Sequence, residues 1–133
     1  MRIYNALDAV YGALKSEAAL ENAAVIRAYP DFLKPTRLEK TVIALSSGES
    51  DYIPAGIGES AQYGSVRVRA ELFSPLALGG QALNSAAENT VRAVSKLYPD
   101  AIAVTPAEKS ESLGCLYCRC VFTFGCLTDT ETE

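Results

Sequence analysis

Four cysteines, Cys115, Cys118, Cys120 and Cys126, lie within twelve residues near the end of the chain. Thiolates bind zinc and exchange electrons, so this cluster is the first candidate for chemistry. A structural zinc site places paired ligands on a tight turn, with a second pair at a distance. Alternate residues of a strand are about 6.6 Å apart, too far for two thiolates to share one zinc ion. The pattern predicts thiols packed in a core, with metal or redox chemistry and a subunit contact as alternatives.

The second candidate site is a group of acidic residues. Glu49, Asp51 and Glu59 lie in a glycine-rich stretch that contains no lysine or arginine. Carboxylates in such a stretch can ligate a hard cation or act as an acid–base pair. The spacing of a calcium-binding loop is absent, and few apolar neighbours accompany them, Tyr52 among these. We therefore expect a solvated acidic segment whose residues, with Tyr52, are candidates for contacts with other molecules.

The sequence gives little support for nucleophilic catalysis or for cofactor binding. The chain has no histidine, which excludes Ser-His and Cys-His arrangements. Ser95 and Lys96 are adjacent on a predicted helix and do not face each other. Gly79 and Gly80 follow a strand and open a helix, but no phosphate-binding or dinucleotide-binding motif accompanies them. No catalytic residue, metal ligand or cofactor is predicted, and we expect a protein that binds other proteins and is not an enzyme.

The last candidate site is a group of three arginines. Arg67 and Arg69 alternate with apolar residues, and Arg119 shares their face if the phases of the two strands are as predicted. One interpretation is a solvated face on which Glu71 is the local partner. The other is an interface that pairs with acidic groups of another chain, for which the planar guanidinium is well suited.

The bulk composition restricts the class of protein. The chain has 133 residues, 49% of them hydrophobic, and a net charge of −4. This size predicts one domain, and the negative balance disfavours a nucleic-acid binder that relies on neutralising phosphates. No apolar run reaches the length of a membrane span, and Asp8 interrupts any signal-peptide core. We expect a protein made and kept in a cytoplasm.

The predicted elements follow from periodicity and from the positions of proline and glycine. The alternating stretch from Ser65 to Phe73 predicts a half-buried strand of an antiparallel sheet. The whole order is a helix at 3–18, a short strand at 24–29, a strand at 41–45, a long loop at 46–64, a strand at 65–73, a helix at 81–98, and strands at 101–104 and 116–127. Two options remain open: a hairpin around Tyr52 and Ile53 within the loop, and a continuation of the 101–104 strand past Pro106 at a sheet edge.

These elements predict an α+β domain over residues 1–127, followed by a polar tail at 128–133. Two helices can cover only one face of a four- to five-stranded, mostly antiparallel sheet. The other face would carry the three arginines. The acidic, glycine-rich loop at 46–64 is long for a compact domain, which is typical of a functional segment.

The layout resembles the phage tail terminator, or tail completion, proteins of long-tailed phages and prophages. The most telling part is the strand that ends in Ser74-Pro75, followed by Gly79-Gly80 and the second helix. The resemblance covers nearly the whole chain as an order of elements. It implies a structural protein that forms a ring, commonly a hexamer, caps the tail tube and joins it to the head.

The resemblance also implies partners and a location. These are further copies of the chain, the tail tube protein and a head-completion or neck protein, met in the host cytoplasm and retained in the particle. DNA would pass through the ring without specific binding. The loop at 46–64 is the segment expected to reach the tube or the lumen, where its carboxylates would repel phosphate. The alternatives are another small neck or tail adaptor, or a thiol-based metal or redox protein.

Overall fold

The computed structural model describes residues 3–27, 40–54, 61–110 and 114–129. These residues form two α-helices, six strands and two short 3₁₀ turns. The helices are α1 (Ile3–Lys15) and α2 (Gly79–Ser95). The strands are β1 (Ala24–Arg27), β2 (Val42–Pro54), β3 (Ala61–Pro75), β4 (Ala101–Val104), β5 (Glu108–Ser110) and β6 (Cys115–Asp129).

The strands form one sheet in the order β1-β2-β3-β6-β4, and β5 also pairs with β6. β1 is parallel to β2, and every other pairing is antiparallel. The predicted α+β class is thus confirmed, with one strand more than expected. The extra strand arises because Pro106, which has no N–H, interrupts the pairing after β4, and β5 resumes it at Glu108.

Both helices pack on the same face of the sheet, as predicted. The alternating strand supplies Val66, Val68, Ala70 and Leu72 to this face, and all four are buried. The facing residues of β6 are Phe124, Phe122, Cys120 and Cys118 in the same order. The register explains the arrangement, because residues paired across an antiparallel sheet point to the same side.

The helices follow the apolar stripes with one exception. Val10 and Leu14 of α1 and Leu83 and Val94 of α2 are buried in the shared core. Tyr98, predicted to lie on the stripe of the second helix, is 87% exposed. The reason is that α2 ends at Ser95, and Tyr98 takes a left-handed backbone conformation with φ of 56°.

The predicted loop at 46–64 is wrong for most of its length. Residues 46–54 belong to β2 and residues 61–64 to β3, and only 55–60 lie outside the described residues. Serine and glycine are weak strand formers, but pairing with β3 overrides this preference. The register shift between Ser47 and Ser50 absorbs the extra residues as a bulge.

The last strand is also longer than predicted. It continues past Leu127, because Thr128 pairs with Gln62 and Asp129 pairs with Ala61. The remainder of the predicted polar tail lies outside the described residues. β3 and β6 are therefore paired over their whole fifteen-residue lengths.

Replacing Phe122 tests the shared core. Phe122 is fully buried between the sheet and the helices. We expect Phe122→Ala to lower the free energy of unfolding by about 3–5 kcal/mol, from lost transfer energy and the cavity left behind. Tyr98→Ser is the control, with an expected change within about 0.5 kcal/mol because the side chain is exposed. Urea denaturation followed by circular dichroism measures both, and equal losses would contradict the assigned core.

Candidate interaction surface

The side of the sheet opposite the helices carries the three arginines, and we call it the arginine face. Arg67 and Arg69 lie two residues apart on β3, and Arg119 of β6 is the Cα partner of Glu71. All three arginines are half-buried. The structure thus brings together three of the residues that the sequence singled out, and period-two alternation was the signal that placed them.

One end of the arginine face has a small apolar cluster of its own. Phe73, Ala44 and Cys115 are buried there, with Ile26 and Tyr117 packed against them. The rings of Phe73 and Tyr117 have centroids 5.2 Å apart at an interplanar angle of 44°, a tilted aromatic contact. This cluster anchors the face, so the arginines project from a rigid surface and not from a loop.

Glu71 lies between the arginines and is only 9% exposed. Burial raises the pKa of its carboxyl, and the positive charges of Arg69 and Arg119 oppose that rise without cancelling it. The same carboxylate contributes, after burial, to raising the pKa of Tyr117. The sequence suggested Glu71 as a solvated partner of the arginines, but the structure places it nearly out of water. Its burial depends on neighbours from β2 and β6, which its own strand does not reveal.

Arg119 is held by its backbone, while one atom of its guanidinium is left without a partner. Its N–H donates to the Thr105 hydroxyl at 2.9 Å, and its carbonyl accepts from the Thr105 N–H at 2.9 Å. Within the described part of the chain, its buried Nε has no hydrogen-bond partner. A buried donor without a partner is costly. The suitability of this face for an acidic partner comes instead from the positive charge of its three half-buried arginines.

The second feature is a three-stranded extension of the sheet, which we call the arm. It comprises residues 51–54 of β2, 61–65 of β3 and 125–129 of β6. Among the side chains that the structure describes, the helix-covered core reaches Val66 and Phe124, and the arm continues roughly 17 Å further, from five residue steps of about 3.4 Å. The predicted loop is therefore mostly a pleated, hydrogen-bonded element.

Of the three acidic candidates, Glu49 and Asp51 lie in the described part of β2, on or near the arm. Asp51 pairs with Ser65, and Tyr52 pairs with Gly64. Glu49 lies within the bulge, and Glu59 lies outside the described residues. The bulge that contains Glu49 lies across from Arg67, between the pairs Ser47–Val68 and Ser50–Val66, whereas Asp51 lies further along the sheet, in the arm. The sequence found these residues but assigned their segment to a loop, since its serine and glycine content gives no strand signal.

The cysteines occupy both faces of the sheet. Cys118 and Cys120 are in the main core, as predicted, whereas Cys115 belongs to the apolar cluster on the arginine face. Burial raises the pKa of Cys118 to about 11. Burial, with a smaller contribution from Cys118, raises the pKa of Cys120 to about 12. Both are protonated at neutral pH, which makes them poor nucleophiles and poor metal ligands.

Metal-binding clusters and membrane-spanning helices are both absent from the described residues. These residues contain no group of three or more His, Cys, Asp and Glu side chains placed to hold a metal ion. None of the described helices combines the length and apolar character that crossing a bilayer demands.

Comparison with known proteins adds no family. No family model matches the chain, and no curated protein matches it. Its function has to be argued from the surface itself.

The buried thiols predict a loss of stability at alkaline pH. An ordinary thiol has a pKa near 9.0, and both buried thiols are raised above it, so the unfolded chain loses these protons first. Their contribution is complete below pH 9 and is lost as pH rises toward 11 and 12, by several kcal/mol at about 1.4 kcal/mol per pKa unit.

Urea denaturation at pH 7 to 11 tests this expectation in a Cys118→Ala, Cys120→Ala double variant. The fall in unfolding free energy with pH should be shallower in the variant than in the natural chain. Val94→Ala is the control, because it also removes buried apolar volume but no ionisable group. Parallel pH curves for all three proteins would contradict the thiol assignment.

Proposed function

We propose that this protein is a structural component of a phage or phage-like particle. It caps the tail tube as a self-assembling ring and joins the tail to the head. The order of helices and strands is the order expected of a tail terminator, and this supports the proposal. It assembles in the cytoplasm of the bacterial host and remains in the particle.

The observation that carries the proposal is the arm. The arm extends the sheet beyond Val66 and Phe124, the last positions of β3 and β6 that the structure places in the helix-covered core. Its value lies in contacts with other molecules, which is what a ring that meets a tube and a neck requires. The arginine face gives a second contact surface on the same sheet.

The state of the thiols favours this proposal over thiol chemistry. Cys118 and Cys120 have raised pKa values and lie in the core beneath the helices. A redox or metal-binding protein needs accessible thiolates. Binding of further copies, of the tube protein and of a head-completion or neck protein requires only surface, and DNA passes through without specific contacts.

Mass measurement in solution and on tubes tests the proposal. Light scattering on a sizing column, at several concentrations, measures the mass with and without the tube protein encoded by the same element. We expect a multiple of 14.2 kDa that forms or is completed on tubes, and rings at tube ends in negative-stain images. A chain that stays monomeric with tubes and leaves their ends bare would contradict the proposal.

The acidic side chains provide a second test. We expect Glu49→Gln, Asp51→Asn and Glu59→Gln together to leave the ring intact and to slow DNA passage, because less negative charge then repels phosphate. Particle assembly is scored by microscopy and DNA ejection by release of packaged DNA. The matched control is Glu88→Gln, Glu108→Gln and Glu21→Gln, which removes three exposed charges elsewhere. Collapse of ring assembly in the first variant alone would show that these carboxylates are structural.

A further inference from the structure

The arm has two open edges in the described part of the chain. Among the described residues, β1 pairs with β2 as far as Leu45, and residues 46–54 of β2 have a described neighbour only in β3. Among the same residues, β4 pairs with β6 as far as Thr123, and residues 124–129 have a described neighbour only in β3. The Asp100 carboxylate lies against Gly125, in the space that a Cβ at that position would occupy.

The two edges of the arm differ from the other edges of the sheet. β1 and β4 have four residues each and β5 has three, and short strands are one way in which proteins protect an edge. The open stretches that include the arm are longer, with nine residues on β2, the last four of them in the arm, and six on β6, the last five of them in the arm. Lysine and arginine, which often guard an edge, are absent from residues 46–64 and 124–133. The β2 edge is partly protected by its bulge and by Pro54, whereas that of β6 has neither protection.

The directions of the strands determine how two copies can join. β2 and β6 are both antiparallel to β3, so they run the same way at opposite sides of the arm. A copy related by a two-fold axis would pair β6 with β6 and leave both β2 edges open. If the two copies are instead related by a rotation of less than 180°, β2 of the second copy lies beside β6 of the first copy as a parallel pair. That contact repeats from copy to copy, closes a ring and leaves no edge open.

We propose that the arms of neighbouring copies join edge to edge, β6 of one copy against β2 of the next. The occupant of each open edge is a second copy of this chain. The inference rests on the proposed ring and names the contact that forms it. Each junction is short and therefore weak by itself, whereas the last junction of a ring forms between ends already held together. Neutralising the carboxylates leaves the junction unchanged, since the pairing uses backbone groups.

The natural Cys126 gives a direct test. Cys126 pairs with Gly64, which pairs in turn with Tyr52, so positions 126 and 52 of one chain lie two strands apart, about 9.6 Å. A disulfide needs Cα atoms about 4.4–6.8 Å apart and cannot form at that separation. Between neighbouring arms the two positions are one strand apart, about 4.8 Å. A disulfide between them therefore reports a contact between copies.

Three single variants, Ser50→Cys, Tyr52→Cys and Pro54→Cys, sample three registers of the junction. Each is oxidised mildly in assembled particles and in the purified protein, then run on a denaturing gel without reductant. We expect at least one variant to give a ladder of linked copies up to the number in the ring. Asp51→Cys, which lies on the opposite side of the pleat, and each variant combined with Cys126→Ser are the controls and should give no ladder.

The outcomes separate this contact from the proposed function. Rings on tubes with no ladder in any register would overturn the edge contact and leave the tail function standing. Linkage that stops at dimers would also overturn it, since a two-fold contact predicts that result. A full ladder in a protein that never binds tubes would support the contact and overturn the tail function.

Discussion

Pairing of β3 with β6 over fifteen residues is the constraint on which the rest of the molecule depends. The pairing runs without interruption through the helix-covered part of the sheet, which we call the body, and through the arm. One register therefore assigns every position of these two strands to a face. In the body, that register directs Val68 and Phe122 toward the helices and Arg69 and Val121 away from them. A shift by one residue would exchange these sets and place arginines in the core. The arginine face therefore follows from the same pairing that builds the core.

The buried carboxyl of Glu71 illustrates how that pairing creates a special environment. Its Cα partners are Ala44 on one side and Arg119 on the other, so a small apolar residue and a cation flank it. Burial disfavours its charge, while Arg69 and Arg119 favour it. Among the described residues, the buried Nε of Arg119 has no hydrogen-bond partner. Opposite charges are therefore held together within the sheet by the pairing of its strands.

Periodicity predicted the parts of the structure that rest on local pattern. The alternating stretch around Val66 and Arg67 gave the strand, its two faces and the common face of the arginines, because a pleated strand has a strict period of two. The arm was anticipated only as a hairpin around Tyr52 and Ile53 inside a loop, since glycine and serine around Gly48 have no strand preference and their pairing comes from β3. β5 was anticipated only as a continuation of the strand past Pro106 at a sheet edge, as Glu108 and its neighbours are polar and exposed and carry no period. The burial of Glu71 needed knowledge of strands that are distant in sequence.

The position of β6 in the chain has a consequence for biosynthesis. β3 is finished at Pro75, but its partner β6 begins only at Cys115 and ends at Asp129, close to the last residue. During translation, β2 and β3 are made before β6. One edge of β3 therefore lacks its partner strand while α2, β4 and β5 are being made. Strands that are far apart in sequence pair slowly, because the long segment between them must close into a loop before the pairing can form. The arm is thus complete only after β6 has been made, so its three-stranded pairing forms later than the pairing of β2 with β3.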